Sequence, residues 1–130
     1  MAAQPTIVLD ASAFLAMIKG EKGWDRVAAV LSTSTMSVVN AAEVYSKMVD
    51  WGMTRDEQFK FHALLENIVQ PFDLDLAVRS GALRGPTRAR GLSLADRACL
   101  AYAQSLGVPA MTADKAWAGT KIDVAIELVR

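Results

Sequence analysis

The stretch Thr6-Ile7-Val8-Leu9-Asp10-Ala11-Ser12 predicts how this chain folds. Its apolar residues follow one another without polar alternation, which is typical of a strand covered on both faces in a parallel sheet. Asp10 ends the run, and Ser12 begins a helical pattern of apolar residues that continues to Lys19. Open α/β sheets gather their ligands at the carboxyl ends of strands, so Asp10 marks the edge where a functional site is expected.

The rest of the chain alternates strands with one or two helices. Such alternation requires a parallel sheet with right-handed crossovers and helices on both faces, here with about five strands. The 130 residues are the usual size of one domain, so we expect a single domain over residues 1–130. The further predicted elements are strands at 35–38, 68–69, 110–112 and either 122–124 or 126–129, helices at 24–31, 40–51, 54–65, 74–83 and 93–105, and a loop at 84–91.

Composition and charge exclude several classes of protein. The 14 basic and 14 acidic residues cancel, which argues against a polyanion binder that works by bulk charge and leaves only a local basic groove. The single cysteine, Cys99, allows no internal disulfide, and its apolar helical surroundings predict a buried thiol. No apolar run approaches the roughly 20 residues that span a bilayer, and no signal pattern is seen. We expect a cytoplasmic protein without membrane association.

Four acidic residues occupy equivalent places in this arrangement. Asp10 ends the first strand, and Asp114 follows the fourth strand. Glu43 and Asp96 stand in the first turns of two helices that follow strands or loops at the same edge. Because a parallel sheet directs all its carboxyl ends to one edge, the topology would bring these four side chains together.

Each acid also has a structural interpretation. Asn40 to Glu43 and Ser93 to Asp96 match the capping box, in which an acid at the third helical position stabilises the helix start. Asp10 and Asp114 could instead accept backbone N–H groups in turns. These roles explain each acid singly, but they leave unexplained why four acids share one edge with almost no basic neighbours. Their mutual repulsion would raise their pKa values.

A divalent cation would relieve this repulsion. A set of oxygen ligands without His or Cys suits Mg²⁺ or Mn²⁺ rather than Zn²⁺. The single histidine, His62, lies in the middle of a predicted helix far from this edge, where a surface or packing role is expected. A carboxylate-bound Mg²⁺ with open positions suits phosphodiester hydrolysis, because it lowers the pKa of bound water and neutralises phosphate charge.

Four segments of the chain, taken in order, resemble the PIN-domain ribonucleases, and within them the VapC toxins of bacterial type II toxin–antitoxin modules. The segments are Ile7–Ser12, Asn40–Val44, Gly91–Ala101 and Thr112–Trp117. The resemblance covers essentially the full chain, and the order and separation of the segments make it more specific than any one of them. It implies a three-layer α/β/α sandwich around a parallel sheet and metal-dependent endonucleolytic cleavage of RNA.

The resemblance also implies roles for individual residues. Asp10 and Asp96 would be the main metal ligands, with Glu43 and Asp114 acting directly or through metal-bound water. The residues that match supporting polar positions of the family are Ser12, Asn40 and Thr112.

Other residues have roles that the sequence leaves more open. Arg84, Arg88 and Arg90 precede the Asp96 helix and could contact RNA phosphates, although a solvated basic loop explains them equally well. Asp123 falls in a poorly matched segment, where a surface position is expected. The ending Val129-Arg130 also resembles the end of these toxins, and its role is open.

The resemblance further implies an RNA substrate and protein partners. The substrate would be a structured RNA such as transfer RNA, cut in a single-stranded loop so that translation is inhibited. A small VapB-type antitoxin would bind beside the site, and the chain would form a homodimer, and a heterotetramer or larger assembly with the antitoxin. An exposed apolar surface for either partner could include Trp51, Met53, Phe59 and Phe61, although core packing would explain many of them equally well.

Two other functions are weighed against the nuclease. In a receiver-like phosphoacceptor domain, an aspartate at a strand end such as Asp10 would accept a phosphoryl group. That fold needs an extra acidic pair near the first strand, and no acid precedes Asp10. A catalytically silent PIN-like module would only bind partners. The presence of all four acids argues against such a module.

Overall fold

Five parallel strands and seven helices make up residues 4–130, which the computed structural model describes. Residues 1–3 of the predicted domain lie outside the described residues. The strands are β1 (Ile7–Leu9), β2 (Ser34–Ser37), β3 (Val69–Gln70), β4 (Ala110–Thr112) and β5 (Ile126–Leu128). The helices are α1 (Ala11–Ile18), α2 (Trp24–Val30), α3 (Val38–Asp50), α4 (Arg55–Ile68), α5 (Leu74–Ala82), α6 (Arg84–Thr87) and α7 (Leu94–Leu106), with 3-10 turns at Leu31–Thr33, Arg88–Arg90 and Lys115–Trp117.

The sheet has the order β3-β2-β1-β4-β5, and every neighbouring pair is parallel. Strand β1 lies at its centre and is completely buried, as its continuous apolar run predicted. The predicted α/β class with a parallel sheet of about five strands is therefore confirmed. This order also differs from the 2-1-3-4-5 order of the flavodoxin and receiver folds, so the receiver-like alternative does not fit.

The side chains of β1 divide the core into two halves. Ile7 and Leu9 pack with α1 to α4 on one face, and Val8 packs with α5 and α7 on the other. This division follows from the alternation of side chains along a strand. Phe14 fills the first half and Trp117 the second, both without solvent exposure. The helices therefore cover both faces, which confirms the three-layer sandwich.

Helix α3 begins earlier than the sequence predicted. Ser37 is its N-cap, and the Ser37 hydroxyl accepts a hydrogen bond from the N–H of Val39 at 3.1 Å. Asn40 therefore lies inside the first turn, and the predicted capping box from Asn40 to Glu43 is wrong. The capping box predicted from Ser93 to Asp96 is present, and a second capping box begins α4 at Thr54.

The segment 84–91, predicted as a loop, is largely helical. Thr87 is completely buried, and its hydroxyl donates to the carbonyl of Leu83 at 2.6 Å. Its N–H donates to the same carbonyl at 3.2 Å, which closes a helical turn. Gly91 then ends the segment with a left-handed φ of 66°. The glycines and the proline of this segment are typical of a loop, and the sequence therefore did not predict the helical turn that the buried Thr87 hydroxyl stabilises.

The predictions for Cys99 and for membrane-spanning helices can be compared with the structure. Cys99 is a free and buried thiol in α7, as its apolar neighbours predicted. Within residues 4–130, every helix is too short or too polar to cross a bilayer.

The final residues are tied to the sheet and to α2. The N–H of Val129 donates to the carbonyl of Thr112 at 2.8 Å, and the Val129 side chain is buried. The guanidinium of Arg26 donates to the carbonyls of Leu128 at 2.6 Å and Val129 at 3.2 Å. Val129, in the Val129-Arg130 ending whose role the sequence left open, therefore anchors β5 beside β4 at the functional edge.

Gly23 permits this anchoring, and its replacement tests it. Gly23 has a φ of +90°, and a Cβ there would overlap the carbonyl oxygen of Val129. Gly23→Ala should lower the free energy of unfolding by about 3 kcal/mol or more, because the clash adds to the cost of a left-handed backbone. Gly20→Ala is the matched control, since its φ is +65° with no atom within 4 Å, and it should cost only about 1–2 kcal/mol. Denaturant unfolding measures both, and equal losses would contradict the proposed contact.

Candidate functional site at the carboxyl edge of the sheet

Asp10 combines deep burial with several hydrogen bonds to neutral groups. It is the N-cap of α1, and its Oδ1 accepts from the N–H of Ala13 at 2.8 Å. The hydroxyl of Ser12 donates to the carboxylate at 2.8 Å, and the hydroxyl of Thr112 donates to Oδ2 at 2.6 Å. The residue is only 4% exposed. These contacts orient the carboxylate but provide no positive charge to balance it.

The two hydroxyls connect the ends of β1 and β4. The hydroxyl oxygens of Ser12 and Thr112 lie 3.1 Å apart. The Ser12 oxygen accepts from the N–H of Ala113 at 2.9 Å, and the Thr112 oxygen accepts from the N–H of Asp114 at 3.0 Å. Each hydroxyl therefore donates to Asp10 while it accepts from the β4 loop. The structure thus brings two of the three predicted supporting residues, Ser12 and Thr112, against the predicted metal ligand.

Burial raises the pKa of Asp10 from 3.8 to about 7. Desolvation is the largest cause, because the charged form loses its hydration in the core. The hydrogen bonds from Thr112, Ala13 and Ser12 oppose it, and the negative charge of Asp96 adds to it. A buried carboxylate whose pKa is raised toward neutrality among several polar groups is typical of a functional site.

Asp96 is electrostatically close to both Asp10 and Glu43. Its Oδ2 accepts from the N–H of Ser93 at 2.9 Å, and its N–H donates to the Ser93 hydroxyl at 3.1 Å. Burial raises the pKa of Glu43, a hydrogen bond from Asn40 lowers it, and the charge of Asp96 raises it further. The charge of Asp96 therefore acts on both Asp10 and Glu43.

Asn40 joins α3 to the start of α7. Its side-chain N–H groups donate to Glu43 Oε1 at 3.2 Å and to the carbonyl of Ala95 at 3.0 Å. The residue is completely buried, and its Oδ1 has no hydrogen-bond partner among residues 4–130. Buried acceptors are rarely left unpaired, so this oxygen marks a place where the described protein does not supply the partner.

Asp114 takes a different position from the other three acids. It is exposed, and its Oδ1 accepts from the N–H of Ala116 at 2.9 Å in the 3-10 turn after β4. It is not among the causes that shift the pKa of Asp10 or Glu43. Asp114 therefore adjoins the site through its backbone N–H, while its carboxylate caps the turn.

The predicted clustering of carboxylates is only partly present. Within the described range 4–130, no three His, Cys, Asp or Glu side chains form a group that could hold a metal ion. The reason is local, because Asp96 and Asp114 direct their oxygens to nearby backbone N–H groups.

The donor chemistry at this edge nevertheless fits a hard divalent cation. The candidate ligands are all oxygens, one of them on a buried carboxylate with a raised pKa. The ion pairs found across residues 4–130 are Asp75–Arg79 and Glu21–Arg130, and neither includes one of the four predicted acids. Mg²⁺ or Mn²⁺ would supply the missing positive charge.

The three predicted RNA-contacting arginines are exposed on the segment that leads to α7. Arg84 lies in α6, and Arg88 and Arg90 lie in the following 3-10 turn. The guanidinium of Arg90 lies against Gly119 in the loop after β4, since its Nη2 is 2.8 Å from where a Gly119 Cβ would stand. Arg90 therefore joins the segment before α7, the helix that carries Asp96, to the loop after β4, which carries Asp114.

Sequence reasoning missed Lys47. Its charge lowers the pKa of Glu43, against the larger effect of burial. A groove of about 290 Å³ runs along α3 past Glu43 and Lys47 to Ala95, next to Asp96. Glu43 and Lys47 are four residues apart and therefore lie on one face of α3. This spacing could have predicted that Lys47 lies near the site.

Two further predicted positions lie away from the site. His62 on α4 shares a hydrogen bond of 2.7 Å with the hydroxyl of Tyr45 and stacks on Phe59. Asp123 is exposed and accepts from the side chain of Gln104 at 2.6 Å. Both therefore occupy the surface positions that the sequence predicted.

The predicted apolar surface is divided by the fold. Phe59 is 73% exposed, whereas Met53 and Phe61 pack partly into the core. Trp51 lies below Lys19, whose Nζ is 4.2 Å from the ring centre. Except for Phe59, these residues line a groove of about 340 Å³ between α1 and α4, which also includes Lys60.

Comparison with known proteins identifies a family and several related folds. The PIN domain family profile matches residues 7–122 of this chain. No curated protein matches the sequence. A chain of a toxin–antitoxin complex from Klebsiella pneumoniae has a TM-score of 0.72 at 22% identity, with 96% of this chain and 98% of that chain covered.

Two further solved structures show the same fold. A chain of DNA-bound VapBC from Salmonella typhimurium has a TM-score of 0.77 at 14% identity, with 98% and 100% of the two chains covered. A chain of VapBC-5 from Mycobacterium tuberculosis has a TM-score of 0.59 at 25% identity, with 97% and 99% covered. The matches extend over nearly the full length of each chain.

The raised pKa of Asp10 predicts a pH-dependent stability. Between its unfolded value of 3.8 and its folded value of about 7, the folded protein holds an extra proton. Stability should therefore fall as pH rises through this range and then stay level. Asp10→Asn removes this component, so without divalent cations it should raise the melting temperature by about 5 °C or more at high pH and little near pH 4.

Thermal unfolding in EDTA over this pH range measures the effect. Asp123→Asn is the control, because it removes an exposed acid from the surface. Parallel curves for Asp10→Asn and the unmodified protein at every pH would contradict the assigned burial effect.

Proposed function

This chain belongs to the PIN domain family, and on that basis we propose that it is a metal-dependent endoribonuclease, the VapC-type toxin of a toxin–antitoxin system. The observation that carries the proposal is the buried carboxylate of Asp10, next to Asp96 and without a cationic partner in the described chain. The likeness of the fold to chains of toxin–antitoxin complexes supports the toxin assignment.

The proposed cofactor is Mg²⁺ or Mn²⁺, held by Asp10 and Asp96 with Glu43 and Asp114 as direct or water-mediated contributors. When bound, such an ion supplies an activated water and positive charge for hydrolysis of a phosphodiester. Ser12 and Thr112 prepare Asp10 to bind the ion, because their hydrogen bonds favour its ionised form and hold its orientation.

The remaining polar groups complete the protein's part in the reaction. Asn40 holds Glu43 toward the start of α7 through its two hydrogen bonds. Lys47, in the same groove, is placed to attract a phosphate beside Glu43. His62 lies on the surface of α4 in contact with Tyr45 and Phe59, so an acid–base mechanism based on histidine has no support here.

The proposed substrate is a structured RNA such as transfer RNA, cut in a single-stranded loop so that translation is inhibited. The family resemblance supports this choice. The exposed Arg84, Arg88 and Arg90 support it physically, since they extend a basic surface from the start of α7 toward the loop after β4. Phosphate contacts of this kind position a nucleic acid without reading its sequence.

The proposed protein partner is a small VapB-type antitoxin. The groove between α1 and α4 supports such a partner, because it has an apolar floor that includes Trp51 and Met53 and charged residues of both signs at its sides, namely Lys19, Lys60 and Glu57. An amphipathic helix would suit this groove.

Asp96→Asn tests the catalytic proposal. An asparagine can still accept the N–H of Ser93, so α7 should keep its start and the protein its melting temperature. RNA cleavage should fall by more than about 100-fold, beyond the loss usual for groups that only support a metal ligand. Cleavage of purified transfer RNA with Mg²⁺ or Mn²⁺ measures this.

The matched control is Asp123→Asn, which should cleave like the unmodified protein. Excess EDTA should stop cleavage and added Mg²⁺ or Mn²⁺ should restore it. Full activity of Asp96→Asn, or full activity in EDTA, would contradict the metal mechanism. Absence of cleavage by the unmodified protein together with normal antitoxin binding would favour the catalytically silent module.

Removal of the arginines tests the RNA path. Arg88→Ala combined with Arg90→Ala should weaken transfer RNA binding and lower the slope of log K against log salt by about 0.7 for each lost contact with a single strand. The measurement uses the Asp96→Asn background, so that the RNA stays intact. Lys22→Ala combined with Arg55→Ala is the control, because it also removes two positive charges from exposed positions. An unchanged slope in the double variant would reject the phosphate contacts.

A further inference from the structure

The groove beside Glu43 continues along α3 beyond the proposed metal ligands. It is lined on α3 by residues spaced three or four apart, from Val39 to Asp50, and Ala95 of α7 forms the facing side. Such spacing places these residues on one face of the helix. Ala42 and Ala95 carry only methyl side chains, which leaves room between α3 and the start of α7. The volume of about 290 Å³ is near the lower limit of small-ligand pockets, roughly 300 Å³, and suits a single nucleotide base.

The charged groups at the far end of this groove are available to a ligand. Within residues 4–130, neither Lys47 nor Asp50 belongs to an ion pair. Asp50 is exposed and is the last residue of α3. Negative charge is unfavourable there, because the helix dipole is itself negative at the carboxyl end. The Asp50 charge therefore does not stabilise the helix, and its two oxygens can accept hydrogen bonds from a bound molecule.

We propose that this groove binds a guanine base of the RNA and that Asp50 selects it. Guanine carries two neighbouring N–H donors, N1–H and N2–H, on its Watson–Crick edge, and one carboxylate can accept both. The other three bases lack this pair of donors. Val39, Ala42 and Ala95 would contact the flat apolar face of the ring. The proposal rests on the RNA substrate of the proposed function, and it adds a base preference to that substrate.

The position of the groove suits a nucleotide next to the bond that is cut. Glu43 lies close enough to Asp96 for the charge of Asp96 to raise its pKa. Asp50 is seven residues further along α3, which is about 10 Å along the helix axis. A nucleotide bound here would place its phosphate toward the metal edge, beside Lys47, and its base toward Asp50. Only an unpaired base exposes its Watson–Crick edge, so the groove requires a single-stranded segment of the RNA.

A binding experiment measures the base preference without cleavage. Short uridine-rich RNAs with one central guanosine, inosine or adenosine are titrated with the Asp96→Asn protein, which keeps the RNA intact, and fluorescence anisotropy gives each Kd. The guanosine RNA should bind about 10-fold more tightly than the adenosine RNA, as expected for one bidentate contact. Inosine lacks the N2 amino group and keeps one of the two hydrogen bonds, so its RNA should bind with an intermediate Kd.

Two substitutions in the same background test the assigned contacts. The side chain of Asp50→Asn offers one acceptor and one donor, which match the Watson–Crick edge of adenine, so the preference should change from guanosine to adenosine. The melting temperature should not fall, because a negative charge leaves the carboxyl end of a helix. Ala42→Leu fills the groove and should abolish the guanosine preference without a change of charge. Asp123→Asn and Ala63→Leu are the matched controls at exposed positions, and both should keep the preference.

The outcomes separate this site from the proposed activity. Equal affinity for the guanosine and adenosine RNAs, or a guanosine preference that persists in Asp50→Asn or Ala42→Leu, would overturn the base site. Loss of the preference in either control would also overturn it. A guanosine preference together with no cleavage by the unmodified protein would support the base site and reject the nuclease. Cleavage without a base preference in binding would support the nuclease and reject the base site.

Discussion

The burial of the Asp10 carboxylate at the end of the central strand is the constraint on which the functional edge depends. Desolvation of a charge in the core is costly, and the protein offsets it with neutral donors. Ser12 and Thr112 supply two of these donors from different segments, while Ala13 supplies the third from the helix start. The site is therefore stable only if β1, α1 and β4 keep their mutual positions.

The other acids illustrate how one residue serves both folding and function. Asp96 completes a capping box, and Asp114 caps a 3-10 turn. Glu43 depends on Asn40, which in turn contacts the start of α7. The charges at this edge are thus positioned by helix starts, which a parallel sheet directs to the same side. Placement by topology requires no conserved spacing between the acids along the chain.

The sequence predicted the fold closely because its strongest signals are local. The apolar run before Asp10 and the capping box at Ser93 correspond directly to β1 and the start of α7. The start of α3 was misplaced because Val38 and Val39 are typical of a strand, whereas the Ser37 hydroxyl caps a helix there. The orientation of the Asp96 and Asp114 carboxylates depends on nearby N–H groups, and residue spacing carries no information about those directions.

The capping role of Asp96 has a consequence for how a ligand and the helix influence each other. The Oδ2 of Asp96, one of the proposed metal ligands, already accepts the N–H of Ser93. A cation that bound this same oxygen would compete with the N–H of Ser93 for it, so metal binding and the start of α7 would be linked equilibria. Amide hydrogen exchange at Ser93 would report this competition, because an N–H that a bound ion released from Asp96 would exchange faster.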